Sequence, residues 1–407
     1  MKKRILFICQ HYYPEPFKMH DISKFFIDNG YDIDVICGIP NYPQGKFYKG
    51  YSIFRKRKEK YEDVNIFRVF EIPRGKNTNF NIFMNFISFP IFSLFKLPFL
   101  LLRKYDKIFM VQLSPVYMSI LGIIIGKIKG IETTMWIQDF WPESLFSVLK
   151  IKNKILLKIL YFSSNFIYKH TDKLVMFTEY GKETLSKRIN KNIDNIEIVH
   201  QSCEKIYEEP IFDEKINNKF SKGFNILYAG AINPTQNFEV LLHTAKKLQE
   251  DDNINDINWI IVGGGMSKDW LQDRVKEMQL NNFYFEGFFM DTKDVVKYYT
   301  VADVLVSFWV YTEVYKYTIP ARVMSYIASG KPLVLSMTGE VKNLVEDAKC
   351  GFVSESDNYE EFYKNIKKIY NMPKEDREKL GKNGRDYHFN YLERNINFDK
   401  LLKFMEK

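Results

Sequence analysis

The stretch NILYAGAINPTQNFEVLLHTAKKLQ, Asn225–Gln249, decides the fold. Five residues of strand character, Asn225–Ala229, run into a glycine and a polar, proline-containing loop. From Phe238 the apolar residues then recur at helical spacing. A strand, a turn and a helix in that order open a βαβ unit, and chains of such units build parallel, doubly wound sheets. Working outward, the same alternation recurs. Further strands are expected at Trp259–Val262, Phe283–Glu286, Val304–Ser307 and Leu333–Leu335. On the N-terminal side they are expected at Ile5–Cys9, Ile33–Cys37, Ile66–Phe70, Ile108–Gln112, Thr133–Ile137, Leu174–Thr178 and Ile196–Val199. Asp21–Asn29, Phe238–Gln249, Lys268–Gln279 and Asp291–Thr300 carry helical periodicity. The series restarts at Phe224 after the polar stretch Cys203–Gly223, which reads as a linker. The expectation is an α/β chain of two Rossmann-like domains, residues 1–205 and 206–388.

Bulk properties agree and exclude alternatives. A chain of 407 residues fits two domains, and 46% hydrophobic residues suffice for two cores. The net charge of +9 attracts anionic partners. With no long basic arm, zinc-finger spacing or RNP-like aromatic motif, nucleic acid is not the expected one. Cys9, Cys37, Cys203 and Cys350 are scattered, so neither a disulfide framework nor a zinc site is suggested. Met1-Lys2-Lys3-Arg4 runs directly into a strand, without the pattern of a signal peptide, and a reducing cytoplasm is expected. Two stretches are long and uncharged. Lys107–Lys127 splits into a strand, a Ser114-Pro115 turn and an apolar helix Val116–Ile125, each too short to span a bilayer. Phe80–Leu102, interrupted by Lys96 and followed by Arg103-Lys104, reads equally as an interfacial membrane helix or as a helix of the N-terminal core.

Ligands on doubly wound sheets sit at the C-terminal ends of strands, so six loops come forward. Gln10-His11-Tyr12-Tyr13-Pro14-Glu15-Pro16 is not a GxGxxG fingerprint, and its bulk suits a substrate. Gly38–Gly45, with Asn41 and Tyr42, is either a binding loop or a proline-shaped turn. In Gln138–Ser144, Asp139 stands after a strand, placed to hold an acceptor hydroxyl or simply to cap a helix. Gly230–Asn237 precedes a helix start whose amides can bind an anion, with Asn233 and Gln236 as neutral donors. Gly263-Gly264-Gly265 lets a ligand approach the backbone. In Tyr315–Arg322, Thr318 reads as an N-cap and Pro320 falls in the first helical turn. Lys316, Arg322 and the helix dipole would then converge on a diphosphate. No metal-ligand spacing and no GxSxG elbow is present.

Together these loops resemble glycosyltransferase family 4, of the GT-B arrangement, and most closely bacterial O-antigen and capsule transferases of the N-acetyl-L-fucosamine transferase branch. The matching pieces are PNYPQGKFYKGY (Pro40–Tyr51), QDFWPES (Gln138–Ser144), YAGAINPTQN (Tyr228–Asn237), the IVGGG turn, ARVMSYIASGKPLV (Ala321–Val334) and NGRDY (Asn383–Tyr387). The resemblance implies two Rossmann-like domains facing across a cleft and a final helix, 389–407, crossing back to the first. It implies a retaining transferase that needs no metal or other cofactor and takes a UDP-sugar as donor. Asp139, Arg322 and Lys316 would be the catalytic residues. Gly230, Asn233, Gln236, Gly264, Gly265, Met290, Tyr317, Thr318, Ile319, Pro320 and Ser325 would contact the donor. Gln10, Tyr12, Pro14, Asn41, Tyr42, Trp141 and Glu143 would contact the acceptor. The acceptor implied is a polyprenyl-diphosphate-linked glycan, with the protein peripheral on the inner face of the cell membrane.

One departure stands out. The family carries two glutamates at the sixth loop, the second holding the ribose; Tyr317 and Ser325 occupy those positions here. Ser325 offers the ribose one hydrogen bond, about 0.5–1.5 kcal/mol net. The donor is then bound differently or weakly, or activity is lost. The competing expectations are a non-catalytic GT-B scaffold subunit, which the missing glutamates favour, and a nucleotide-sugar epimerase, which shares the fold.

Overall fold

The computed structural model describes residues 2–407 apart from 18, 77, 149–152, 252, 253, 255 and 288–290. The chain divides into two compact units, Met1–His200 with Phe398–Lys407, and Gln201–Asn397.

The first unit carries eight strands: β1 (Arg4–Ile8), β2 (Asp32–Gly38), β3 (Lys58–Tyr61), β4 (Val64–Val69), β5 (Lys107–Gln112), β6 (Thr133–Ile137), β7 (Lys173–Met176) and β8 (Ile196–Ile198). Their order is β3-β4-β2-β1-β5-β6-β7-β8, and every pair is parallel except β3 with β4. Helices cover both faces of a parallel sheet, so its strands are apolar throughout rather than alternating, as Ile5–Ile8 are here. β3 was not expected. Its KEKY sequence is charged, which suits an exposed edge, and it pairs through a two-residue hairpin in which Glu62 and Asp63 take positive φ. Phe398, Leu401, Leu402 and Phe404 of the last helix, Arg394–Glu406, enter this unit's core beside Phe25 and Trp136.

The second unit has six parallel strands: β9 (Phe224–Ala229), β10 (Ile257–Val262), β11 (Phe283–Phe285), β12 (Val304–Phe308), β13 (Leu333–Ser336) and β14 (Gly351–Ser354). Their order is β11-β10-β9-β12-β13-β14. β14 escaped the sequence reading because it is short and only partly apolar. Gly351 is required in it, since a Cβ there would lie 2.0 Å from the Leu333 carbonyl oxygen. The expected linker is part of this unit. Asp213 caps a helix, Glu214–Lys219, and Phe220 lies in the core.

Three local expectations are corrected. The helix after β12 begins at Ala321 with Pro320 at the N-cap position, so Thr318 caps nothing there. It instead ends the 3-10 turn Glu313–Tyr317, and its hydroxyl donates to the Val314 carbonyl at 3.3 Å. The helix expected over Val116–Ile125 opens as a 3-10 turn, Val116–Ser119, before the α-helix Ile120–Lys129. Phe80–Leu102 is two helices, Asn79–Leu94 and Leu97–Leu101, rather than one. One face packs inward through Asn85, Phe89, Ser93 and Leu100; the other exposes Phe80, Phe83, Phe95 and Leu102. The helix Lys154–Lys169 packs against the same 3-10 turn as Asn79–Leu94 and exposes Ile155, Ile159, Phe162 and Phe166. Among the described residues, no helix is long and apolar enough to cross a membrane.

Candidate functional site

In each unit the polar side chains gather where the strands end, beside the point at which the winding reverses. In the first unit β1 lies between β2 and β5; in the second β9 lies between β10 and β12.

In the second unit, Arg322 sits in the first turn of Ala321–Ala328. Its guanidinium lies against the backbone of Gly230, where a Cβ would fall 2.8 Å from Cζ. It donates to the Tyr228 hydroxyl and stacks 5.0 Å over that ring, while Tyr228 donates to the Ala231 carbonyl at 2.5 Å. A planar cation is thus held beside the loop after β9 and the positive end of a helix, an arrangement matched to a phosphate. Sequence reasoning named Arg322 but missed Tyr228, which anchors it and reads as an ordinary apolar strand residue.

The glycines serve the loops themselves. A Cβ on Gly263 would lie 1.9 Å from the Gly230 carbonyl oxygen, and one on Gly265 would lie 2.3 Å from that of Ile232. The Gly264 carbonyl accepts the Ile232 N–H at 2.9 Å. The two loops therefore zip together, with Asn233 and Gln236 inside the zipper. Asn233 Oδ1 accepts the Met266 N–H at 3.3 Å, and Gln236 Oε1 accepts the Asn233 N–H at 3.1 Å.

Other expected donor contacts lie elsewhere. Lys316 does not join Arg322; it pairs with Glu313 at 3.0 Å and stacks over Tyr311. Ile319 is in the core. Ser325 is buried, and its hydroxyl donates to the Ala321 and Arg322 carbonyls at 3.2 and 3.0 Å, turned into its own helix. Tyr317 closes the 3-10 turn, and Met290 lies outside the described residues. The unexpected acid is Glu340, which is buried in the first turn of Glu340–Ala348. The adjoining Gly339 lies so close to Lys316 that a Cβ would meet its Cα at 2.4 Å.

In the first unit the ends of β1, β2 and β4 converge on Glu71, which is wholly buried. Its Oε2 accepts the Gln10 side-chain amide at 3.0 Å, and its Oε1 accepts that of Asn41. Burial, and then the neighbouring Glu15, hold the Glu71 carboxyl well above the usual range, against the two amide hydrogen bonds. Glu15 Oε1 accepts the backbone N–H groups of Asn41 and Tyr42, both at 2.6 Å, and Oε2 lies 2.8 Å from His11 Nδ1. Arg74 stacks 5.0 Å from Tyr42 and 5.4 Å from Phe86, with Nε donating to Asn85 at 3.2 Å. Among the described residues, Gln10 Oε1, His11 Nε2 and Asn41 Oδ1 are buried without a hydrogen-bond partner. Such groups are costly unless something completes them.

Asp139 follows β6 and accepts the Ser114 hydroxyl at 2.9 Å; Ser114 in turn accepts the Trp141 indole N–H at 3.0 Å. Burial raises the Asp139 carboxyl, with Ser114 and Arg74 opposing. Trp141 is buried and thereby positions Ser114 rather than facing outward. Glu143 is taken by Arg188 at 2.6 Å. Tyr12 is corrected outright. It is 1% exposed, packs in the core with Phe7 and Cys9, and donates to Ser23 at 2.9 Å. Pro14 follows a cis bond and is half-buried. Glu71 and Arg74 escaped the sequence reading, and Glu15 and Ser114 entered it only as parts of the first loop and of the Ser114-Pro115 turn, not as site residues. Glu71 carried a signal of its own, since it directly follows a predicted strand.

Residues 211–387 match the family model described as "Glycosyl transferases group 1". No curated protein matches the chain in sequence. Among solved structures, HepE of Anabaena in complex with UDP and glucose is similar at TM-score 0.67 and 13% identity, over 99% of each chain. Sucrose-phosphate synthase from Thermosynechococcus elongatus is similar at TM-score 0.70 and 12% identity, covering 100% of this chain and 98% of that one. WaaG, a glycosyltransferase involved in lipopolysaccharide biosynthesis, is similar at TM-score 0.64 and 14% identity, over 98% of each. The fold is GT-B, with two Rossmann-like domains. The segment 211–387 is a glycosyl transferase group 1 domain, and the chain is a glycosyltransferase.

Proposed function

We propose that this glycosyltransferase is a retaining, metal-independent member of family 4. It moves a sugar, an N-acetylated hexosamine or deoxyhexosamine, from UDP to a lipid-linked or glycan acceptor during synthesis of a bacterial surface polysaccharide. The observation that carries the donor assignment is Arg322, braced by Tyr228 against Gly230 at a helix start. As the sugar–phosphate bond breaks, charge grows on the departing diphosphate, and a fixed cation at the positive end of a helix stabilises it. On the first unit, Asp139, Gln10 and Asn41 would orient the acceptor sugar, whose several hydroxyls can donate to the carboxylate and to the unpartnered buried oxygens of the two amides. HepE, solved with UDP and glucose, and WaaG, named for lipopolysaccharide biosynthesis, make this substrate class the natural one to test.

The exposed apolar faces of Asn79–Leu94 and Lys154–Lys169, flanking one turn, support peripheral contact with the inner face of the cell membrane. Lys154, Lys158 and Lys169 of the second helix come without an acidic residue, which suits anionic headgroups.

A scaffold role without turnover is the second reading, favoured by Ser325 turning its hydroxyl into its own helix. Incubating the protein with a panel of UDP-sugars and a polyprenyl-diphosphate-linked sugar, with no divalent cation added, tests both. Transfer with retained anomeric configuration supports the transferase proposed. UDP binding with no turnover on any donor supports the scaffold, and inverted product or metal-dependent turnover overturns the mechanism.

A further inference from the structure

The segment just inside the second unit's N-terminal boundary meets the segment near its C-terminal one at Cys203, Glu208 and His388. Glu208 ends the 3-10 turn Lys205–Glu208, and His388 opens the π-helical turn His388–Leu392 after the helix Lys374–Tyr387. The three residues are 8%, 9% and 1% exposed. One ligand atom from each lies within 4.8 Å of the others. Sulfur, imidazole nitrogen and carboxylate oxygen are the donors zinc prefers.

We propose that Cys203, Glu208 and His388 bind a divalent zinc-class cation that clasps residues 203–208 to the turn 388–392. Zinc bonds of about 2.0–2.3 Å set tetrahedral ligand atoms roughly 3.3–3.8 Å apart. The observed spread closes to that by side-chain adjustment of about an ångström. A hydrogen bond alone explains less. His388 Nε2 lies 3.0 Å from Glu208 Oε1, yet its Nδ1 is buried without a partner among the described residues. The Cys203 backbone is already held from the far segment, since Arg394 donates to its carbonyl at 3.1 Å. On binding, the thiol releases its proton to solvent and the thiolate becomes the ligand; no redox step is involved. The site lies outside the residues assigned to sugar transfer, so the ion's part is to hold the two segments together, with water as its fourth ligand, and the inference stands apart from the proposed reaction.

The test uses the full, tag-free chain. After incubation with zinc and dialysis against a weak chelator, elemental analysis should find one zinc per chain. Cobalt in its place should give a thiolate-to-metal absorption band. Cys203→Ser should abolish the band, and His388→Gln should cut retained zinc at least tenfold. Zinc should raise the wild-type melting temperature but not that of the variants. Should either variant fail to fold, Glu208→Gln in the same assays and the wild-type zinc shift decide the matter. No zinc retained by the wild type, no thiolate band, or equal zinc in wild type and folded variants each overturns the proposal.

Discussion

The substitution Glu71→Gln keeps the shape of a fully buried side chain and removes its titrating proton. Glu71 is 0% exposed, and burial with Glu15 nearby raises its pKa well above 4.5. Below about pH 4.5 the acid is protonated in both folded and unfolded chains. Above it the unfolded chain releases the proton while the native one keeps it. Wild-type stability therefore falls as pH rises, by about 1.4 kcal/mol per pH unit, until the native acid itself ionises. Glutamine has no such proton to release. The introduced amide would have one acceptor oxygen for two amide donors, so one neighbour must turn its unpartnered oxygen, Gln10 Oε1 or Asn41 Oδ1, toward it. That turn gives up the neighbour's second bond, from Gln10 Nε2 to Asn85 Oδ1 or from Asn41 Nδ2 to the Ile39 carbonyl, each 3.1 Å. Near pH 4 the variant should lie about 0.5–1.5 kcal/mol below wild type, the worth of that bond. The difference should then move in the variant's favour as pH rises. The first unit's size gives roughly 2–4 °C of melting temperature per kcal/mol. Calorimetric melts of both proteins across this range check it. A wild-type-to-variant difference that stays flat with pH would refute the reasoning, since it means that the native acid ionises as easily as the unfolded one.

Arg322→Ala should weaken UDP binding by about 1.5–3 kcal/mol in calorimetry, the worth of a charge-assisted hydrogen bond; unchanged affinity sinks the diphosphate assignment. Asp139→Asn should slow transfer and leave UDP affinity intact, and an equal loss of both would mark Asp139 as structural. On the membrane face, Phe95→Glu or Phe162→Glu, at side chains 75% exposed, should release the protein from anionic vesicles with an unchanged melting temperature. Phe92→Glu should instead melt early, because Phe92 packs on Phe70 with ring centroids 4.8 Å apart.

The strands and their order of alternation with helices were legible because they depend on local pattern. An apolar run bounded by turn residues forms a buried parallel strand wherever it falls, so β1, β2, β6, β9 and β12 needed no tertiary information. The strands β3 and β14 were not legible, because neither KEKY nor GFVS is mainly apolar, whereas the edge strands β8 and β11 are. KEKY becomes a strand only by pairing with Val64–Val69, and GFVS only by lying against Leu333–Ser336. The helix start at Ala321 was misread for a related reason. The Glu313–Tyr317 turn consumes the residues that would otherwise cap it.

By itself the sequence determined the two-unit α/β organisation, the loops at the strand ends, and the basic and aromatic residues that fill them. It could not say which of those residues meet, since each loop is fixed by its own strand while the distances between strand ends depend on sheet order. Only the tertiary structure put Glu71 between Gln10 and Asn41, turned Tyr12 into the core, and set Arg322 on Tyr228 from 94 residues away. The same holds for Glu208 and His388, 180 residues apart yet in hydrogen-bond contact. Hydrophobic periodicity acts within one element, and a site made of side chains from several elements exists only once the sheet has brought their ends together.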